Sequence, residues 1–170
     1  GRCNRPLTLR SMPFTPFHFG PGLLLQSAAP RRISLAAFAA TQVAVDLEPL
    51  YFLLRGEYAA HRVLHTVWGG GAVGLAVGLA LWIVARSRAE GFPPAARVEV
   101  GRAPAVLGGL LGGVSHALLD GLTHPDAYAL RPLAETQWML DPGGVVALHV
   151  GCILAGVLGA AVLLARRGRA

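Results

Sequence analysis

A histidine, an aspartate and a second histidine recur every four residues in the stretch Ser115-His116-Ala117-Leu118-Leu119-Asp120-Gly121-Leu122-Thr123-His124. On a helix this spacing places His116, Asp120 and His124 on one face, a turn apart. Neutral imidazole and carboxylate suit zinc first, and also manganese or iron. Ionisable groups in apolar surroundings cost several kcal/mol unless they are paired or bind something. The segment around them is otherwise largely apolar, so function is expected here.

Further ligand-type residues stand elsewhere in the chain. His18, Asp46 and His61 join His116, Asp120 and His124 as candidate ligands of a divalent metal ion. This supply exceeds the four ligands of one structural zinc. A catalytic site needs a position open to water, and a paired-metal site needs a bridging carboxylate, for which Asp120 is well placed. Three residues are candidates for the reaction itself. Glu48 is a potential general base. Arg62 is suited to bidentate contact with a phosphate or carboxylate. His65 stands next to both the metal candidates and Arg62 in the sequence.

Each candidate also has a plainer reading. Glu48 can cap the bundle as an acceptor, and Asp46 can pair with Arg62. His65, beside Thr66 and Trp68, can bond between helices, and His116 with Asp120 can be a buried pair without metal. Asp126 follows Pro125 and reads as a turn residue, and His149 as a packing or interfacial residue. Cys152 reads as a small buried residue and Cys3 lies in a loose terminus, so neither a disulfide nor a thiolate metal site is expected. Ser115 adjoins His116, but neighbouring side chains on a helix do not face each other. No Gly-x-Ser-x-Gly elbow and no His-Glu-x-x-His motif is present.

The elements that must carry these residues are membrane helices. Hydrophobic residues make up 54% of the 170 residues and charged ones 14%, against about 25% charged in an ordinary soluble domain. Mean hydropathy is +0.52. Four segments approach the length of about 20 residues that a bilayer needs: 33–54, 64–85, 104–122 and 145–165. A weaker fifth, 14–29, contains His18, Gly20, Pro21 and Gly22 and reads as a short, tilted or re-entrant helix. The expected fold is all-α: a polytopic membrane bundle with four strong transmembrane helices and this N-terminal element. Residues 1–11 read as a flexible extension before a natural start near Met12, 12–165 as one helical membrane domain, and 166–170 as a basic tail. No cleaved signal peptide is expected.

The net charge of +6 comes from fifteen basic residues, all arginine. They flank the apolar runs and form no single stripe, which argues against nucleic acid. Arg31, Arg32, Arg86, Arg88, Arg97, Arg102, Arg166, Arg167 and Arg169 fall on one side if the four spans alternate, and the positive-inside rule makes that side cytoplasmic. Loops 55–63 and 123–144 are then outside, with the polar residues at their edges. Small-residue stripes, Gly70/Gly74/Gly78 and Gly108/Gly112 with Gly109/Gly113, let helices approach closely. Internal packing is their first reading and a homodimer the second.

The order of these motifs resembles the small bacterial inner-membrane proteins described as YdjM-like membrane-bound metal-dependent hydrolases. The resemblance spans residues 12–126. It rests on Met12-Pro13-Phe14-Thr15-Pro16-Phe17-His18, on Asp46-Leu47-Glu48-Pro49, on His61-Arg62 with His65-Thr66, and on Ser115-His116 with Asp120 and His124. It implies a multi-span helical protein of the bacterial inner membrane with a divalent-metal centre near the membrane surface. Position by position, it carries over to His18, Asp46, His61, His65, His116 and Asp120. The family's His-Arg-Gly-x-Thr-His-Ser pattern stands here as His61-Arg62-Val63-Leu64-His65-Thr66, which lacks the glycine. The shorter spacing puts His61 and His65 on one helical face.

The leading expectation is a membrane metal-dependent hydrolase acting through metal-activated water on a phosphoester or lipid-like substrate. A scaffold locked by a metal or polar network is the alternative. A small cation or proton transporter ranks third, because the cytoplasmic halves of the spans are almost wholly Ala, Gly, Leu and Val.

Overall fold

A computed structural model describes residues 16–57, 59–88 and 100–168. The expected 1–11 extension, Cys3 and the Met12 start lie outside these residues. Among the described residues every regular element is helical. A 3-10 turn, Pro16–His18, leads into α1 (Phe19–Ala28), followed by α2 (Leu35–Leu54), α3 (Val67–Ser87), α4 (Arg102–Thr123) and α5 (Pro142–Arg167). The last four are long and apolar enough to cross a membrane. α1 has 10 residues, which at 1.5 Å per residue is about 15 Å, half of a hydrocarbon core. It is the short N-terminal helix the sequence suggests.

α4 is the organising element, with half of its apolar window buried against 11% for α5. Glycine explains how neighbours reach it. α3 runs antiparallel to α4, with Gly70 against Gly113, Gly74 against Gly109, and Gly78 against Ala105. A Cβ added at Gly78 would lie 2.5 Å from the Ala105 carbonyl oxygen, so the two backbones are in contact. The α3 stripe is therefore filled by this chain's own α4. α2 runs parallel to α4 on another side, with Ser34 against Gly108 and Phe38 against Gly112. α1 packs parallel to α5, where Gly20 meets the Cys152 backbone and Gly159 meets Leu23, and Gly22 admits the Phe38 ring from α2.

These directions bring the C-termini of α2 and α4, the N-termini of α3 and α5, and the start of α1 to one end of the bundle. Arg31, Arg32, Arg86, Arg88, Arg102 and Arg166 fall at the other end. There Arg166 Nη1 donates to the Ser27 carbonyl at 2.7 Å.

Helix boundaries follow from caps. Ser34 Oγ accepts from Ala37 N, Thr66 Oγ1 from Gly69 N, and Asp141 from Gly143 N and Gly144 N ahead of α5. Capping by Thr66 starts α3 at Val67, three residues later than hydropathy suggests. His61 and His65 therefore lie in an irregular loop, which corrects the expectation that they share a helical face. The cause is Glu48, whose carboxylate takes Arg62 N–H at 3.0 Å and Leu64 N–H at 3.1 Å. Those donors are committed to a side chain, so the helix does not extend back through them. The loop after α4 closes the same end: Val67 N donates to Ala129 O at 2.8 Å and Leu140 N to Leu122 O at 2.9 Å.

Candidate metal centre

Asp46 and Glu48 are two residues apart on α2, so they leave the helix in different directions. Asp46 faces α4, and its Oδ1 lies 3.1 Å from His116 Nε2. Glu48 turns to the 55–66 loop, and its Oε2 lies 3.0 Å from His65 Nδ1. Asp120, one helical turn beyond His116, places Oδ2 3.1 Å from His116 Nε2 and 3.2 Å from His65 Nε2. Asp46, His65, His116 and Asp120 thus offer four donor atoms within 4.8 Å of one another, all from buried residues. This is a buried His/Asp cluster able to hold a divalent metal ion.

The ring orientations favour an ion. Each of three imidazoles has an acceptor on Nδ1: Gln42 Oε1 for His116 at 2.5 Å, Glu48 for His65, and Asp126 Oδ1 for His61 at 2.9 Å. An acceptor at Nδ1 keeps the N–H there and leaves Nε2 for a ligand, as in metal-bound histidines. Gln42 is itself oriented, since its Nε2 donates to the Gly112 carbonyl at 3.4 Å. The inward atoms His65 Nε2, His116 Nε2 and Asp120 Oδ1 are buried without a hydrogen-bond partner. Buried polar atoms are rarely left so. Two carboxylates also converge on His116 Nε2, which can donate at most one proton. A cation among these atoms resolves both the unmet lone pairs and the crowding of negative charge.

Around this core stand three more histidines. His18 Nε2 and His124 Nε2 each lie 3.6 Å from Asp120 Oδ1, and His61 Nε2 lies 3.9 Å from Asp120 Oδ2. The His61 ring stacks on His124 at 4.4 Å and meets His65 edge-on at 4.6 Å. Burial, partly offset by Asp120, lowers the pKa of His18 to about 4 and also lowers that of His124. Both rings are therefore neutral near pH 7, with a lone pair available. His65 behaves oppositely: burial pushes its pKa down, but Asp120 and Glu48 outweigh this and raise it. A proton and a metal ion are alternatives on its inner nitrogen. For Asp126, burial is outweighed by the hydrogen bonds from His61 and Ala60, which bring its carboxyl to about 2.

Every sequence-derived ligand candidate therefore reaches this cluster: His18, Asp46, His61, His116, Asp120 and His124. His65 sits in its middle. Glu48 stands behind His65, with both oxygens engaged by N–H groups. Arg62 is at the rim, where its guanidinium stacks on Phe52 at 3.6 Å, pairs with Glu57 and donates to Ala59 O. It does not pair with Asp46. His149 bonds the Val145 carbonyl within its own helix and packs edge-on to Phe17.

Two contributors have no strong signal in the sequence. Gln42 sits four residues before Asp46 on the same face of α2, a spacing that marks it as the one amide aimed the same way. Asp126 reads as a turn residue, yet it fixes His61 and accepts from Ala60 N at 2.8 Å and His61 N at 3.1 Å. A cavity of about 740 Å³ adjoins this rim, lined by His61, Arg62, Trp68, Asp126, Tyr128 and Arg131 among others. No family model, curated protein or solved structure matches the chain.

Proposed function

We propose that this chain is an integral-membrane metal-dependent hydrolase of the YdjM-like kind, acting on a phosphoester or related lipid-side bond. The observation that carries this is a buried Asp46/His65/His116/Asp120 donor set whose neighbour His61 opens onto a cavity containing Arg62 and Arg131. Asp46, His65, His116 and Asp120 would hold a divalent ion, zinc by the nitrogen–oxygen donor set, which would lower the pKa of water and polarise a phosphoryl or carbonyl oxygen. The chain's own groups do the rest. Glu48, Gln42 and Asp126 hold the imidazoles in register. Arg62 and Arg131 offer guanidinium groups to an anionic substrate at the cavity wall. Trp68, Val63 and Tyr128 supply an apolar and aromatic wall for a lipid-like body.

The arginine-rich opposite end supports an orientation with the centre toward the outer face of a bacterial inner membrane. Labelling a Leu133→Cys variant with an impermeant thiol reagent on intact cells tests it, since Leu133 is exposed at the site end.

The activity test uses purified, zinc- or manganese-loaded protein with p-nitrophenyl phosphate, its diester, and vesicles containing phosphatidic acid. Turnover that disappears with Asp120→Asn, and weakens with Arg62→Ala through KM, is expected. Metal binding without turnover of any of these favours the scaffold reading. One observation speaks for that alternative: all four donors of the first set are buried, as in a closed structural site.

A further inference from the structure

We infer that the centre holds a pair of metal ions bridged by the Asp120 carboxylate; this rests on the metal-binding reading above. The two oxygens of Asp120 face largely different donors, with His61 Nε2 standing between the two groups, 3.9 Å from Oδ2. Oδ2 lies against His116 Nε2 at 3.1 Å and His65 Nε2 at 3.2 Å, the side on which Asp46 also stands. Oδ1 faces His18 Nε2 and His124 Nε2, both at 3.6 Å. It is buried and accepts no hydrogen bond. At those distances an imidazole N–H does not satisfy it. Oδ1 is thus a buried carboxylate oxygen flanked by two imidazoles with a hydrogen bond from neither, and a cation there supplies the missing partner.

The second set is built like the first. Donor atoms of His61, Asp120 and His124 lie within 4.8 Å of one another. His61 has its outer nitrogen fixed by Asp126 at 2.9 Å, as Glu48 fixes His65. His18 adds an imidazole from the 3-10 turn ahead of α1. The two sets together hold more donor residues than one tetrahedral ion takes, and they share only Asp120. Imidazole and carboxylate in this proportion select zinc, manganese or iron rather than calcium or magnesium, which favour oxygen-only shells. The second set is the more open one, because His61 lines the cavity and His124 is only partly buried. It is where a ligand position for water or substrate would remain.

The test is metal stoichiometry on the full-length protein in detergent, stripped with chelator and titrated with Zn2+, alongside the electron paramagnetic resonance spectrum of Mn2+-loaded protein. Two equivalents per chain are expected, with an exchange-coupled Mn2+ signal. The His61→Ala/His124→Ala double variant should bind one equivalent and give an uncoupled spectrum. One equivalent at saturation in the wild type, with an uncoupled signal, overturns the pair and leaves the single-metal hydrolase standing. No bound metal overturns both. Two equivalents retained by the double variant overturn the assignment of its residues. The wild-type Mn2+ spectrum requires no variant, so misfolding of the double variant leaves the test intact.

Discussion

His61 and His65 belong to one loop and are held in the same way, yet they end in different surroundings. Each gives Nδ1 to a carboxylate that also gathers nearby backbone N–H groups: Asp126 for His61, with Ala60 N and His61 N, and Glu48 for His65, with Arg62 N and Leu64 N. The His65 side chain is 0% exposed and the His61 side chain 13%. The difference lies in where the orienting acid is anchored. Glu48 sits on α2, a helix packed on α4, whereas Asp126 sits in the 124–141 loop. One half of the centre is thus fixed by helix packing. The other is fixed by two loops that hold each other. Regions stabilised by a few loop contacts open at lower free energy than packed helices. The buried half is suited to holding an ion firmly and the loop half to exchanging water or substrate.

The largest effect should come from removing what both halves share. Gly109→Leu would drive a side chain into the Gly74 carbonyl, and backbone cannot yield as a side-chain tip can. Overpacking of this kind costs about 1–3 kcal/mol, and more where backbone stands in the way. The expected result is a clear loss of thermal stability in detergent, with metal lost from both halves together. Next, Asp120→Ala should abolish binding in both halves while the protein still elutes as a folded species. A variant that keeps a tightly bound ion would remove Asp120 from the centre.

Below these come the two histidines on either side of Asp120. His116→Ala removes a buried donor fixed by Gln42 and should eliminate the tighter zinc equivalent. His124→Ala removes a partly buried donor at the end of α4 and should weaken only the looser one. Chelator competition separates these outcomes, and equal losses from both variants would erase the distinction between the halves.

Much of this is legible in the sequence, for identifiable reasons. A buried ionisable group in an apolar run stands out against its surroundings, which is why His116, Asp120 and Asp46 could be read as one centre. Spacing of four residues on α4 carries directly into space, because a long helix leaves little freedom. The glycine stripes announce close packing, although only the helix registers show that Gly109 and Gly113 receive α3 while Gly108 and Gly112 receive α2. The loop between α2 and α3 was not legible. His61 and His65 have helical spacing, and no local signal says that Glu48, far back on α2, takes the N–H groups a helix would need. Asp126 was obscured by Pro125, since Asp beside Pro is ordinary turn chemistry. Its partner, His61, is separated from it by the whole of α3 and α4. Gln42 carries no charge and so gives no alarm in an apolar helix.

The smallest effects should come from the acids that touch no metal, and they probe the comparison most directly. A carboxylate at Glu48 serves three N–H donors with two oxygens; a glutamine has one acceptor oxygen and adds two donors. Glu48→Gln must therefore either release the Leu64 and Arg62 backbone or turn an N–H toward His65. Loss of such an outer partner costs about 10–100-fold in metal affinity. The upper part of that range is expected here, read as weaker binding of the tight zinc equivalent. Asp126→Asn faces the same arithmetic at Ala60 N, His61 N and His61 Nδ1, but in a loop whose backbone can reach water if the contact is lost. Its effect should be about tenfold and confined to the looser equivalent. Should Asp126→Asn weaken the tight equivalent as much as Glu48→Gln does, the two halves are one mechanical unit, and the distinction between a packed half and a loop half fails.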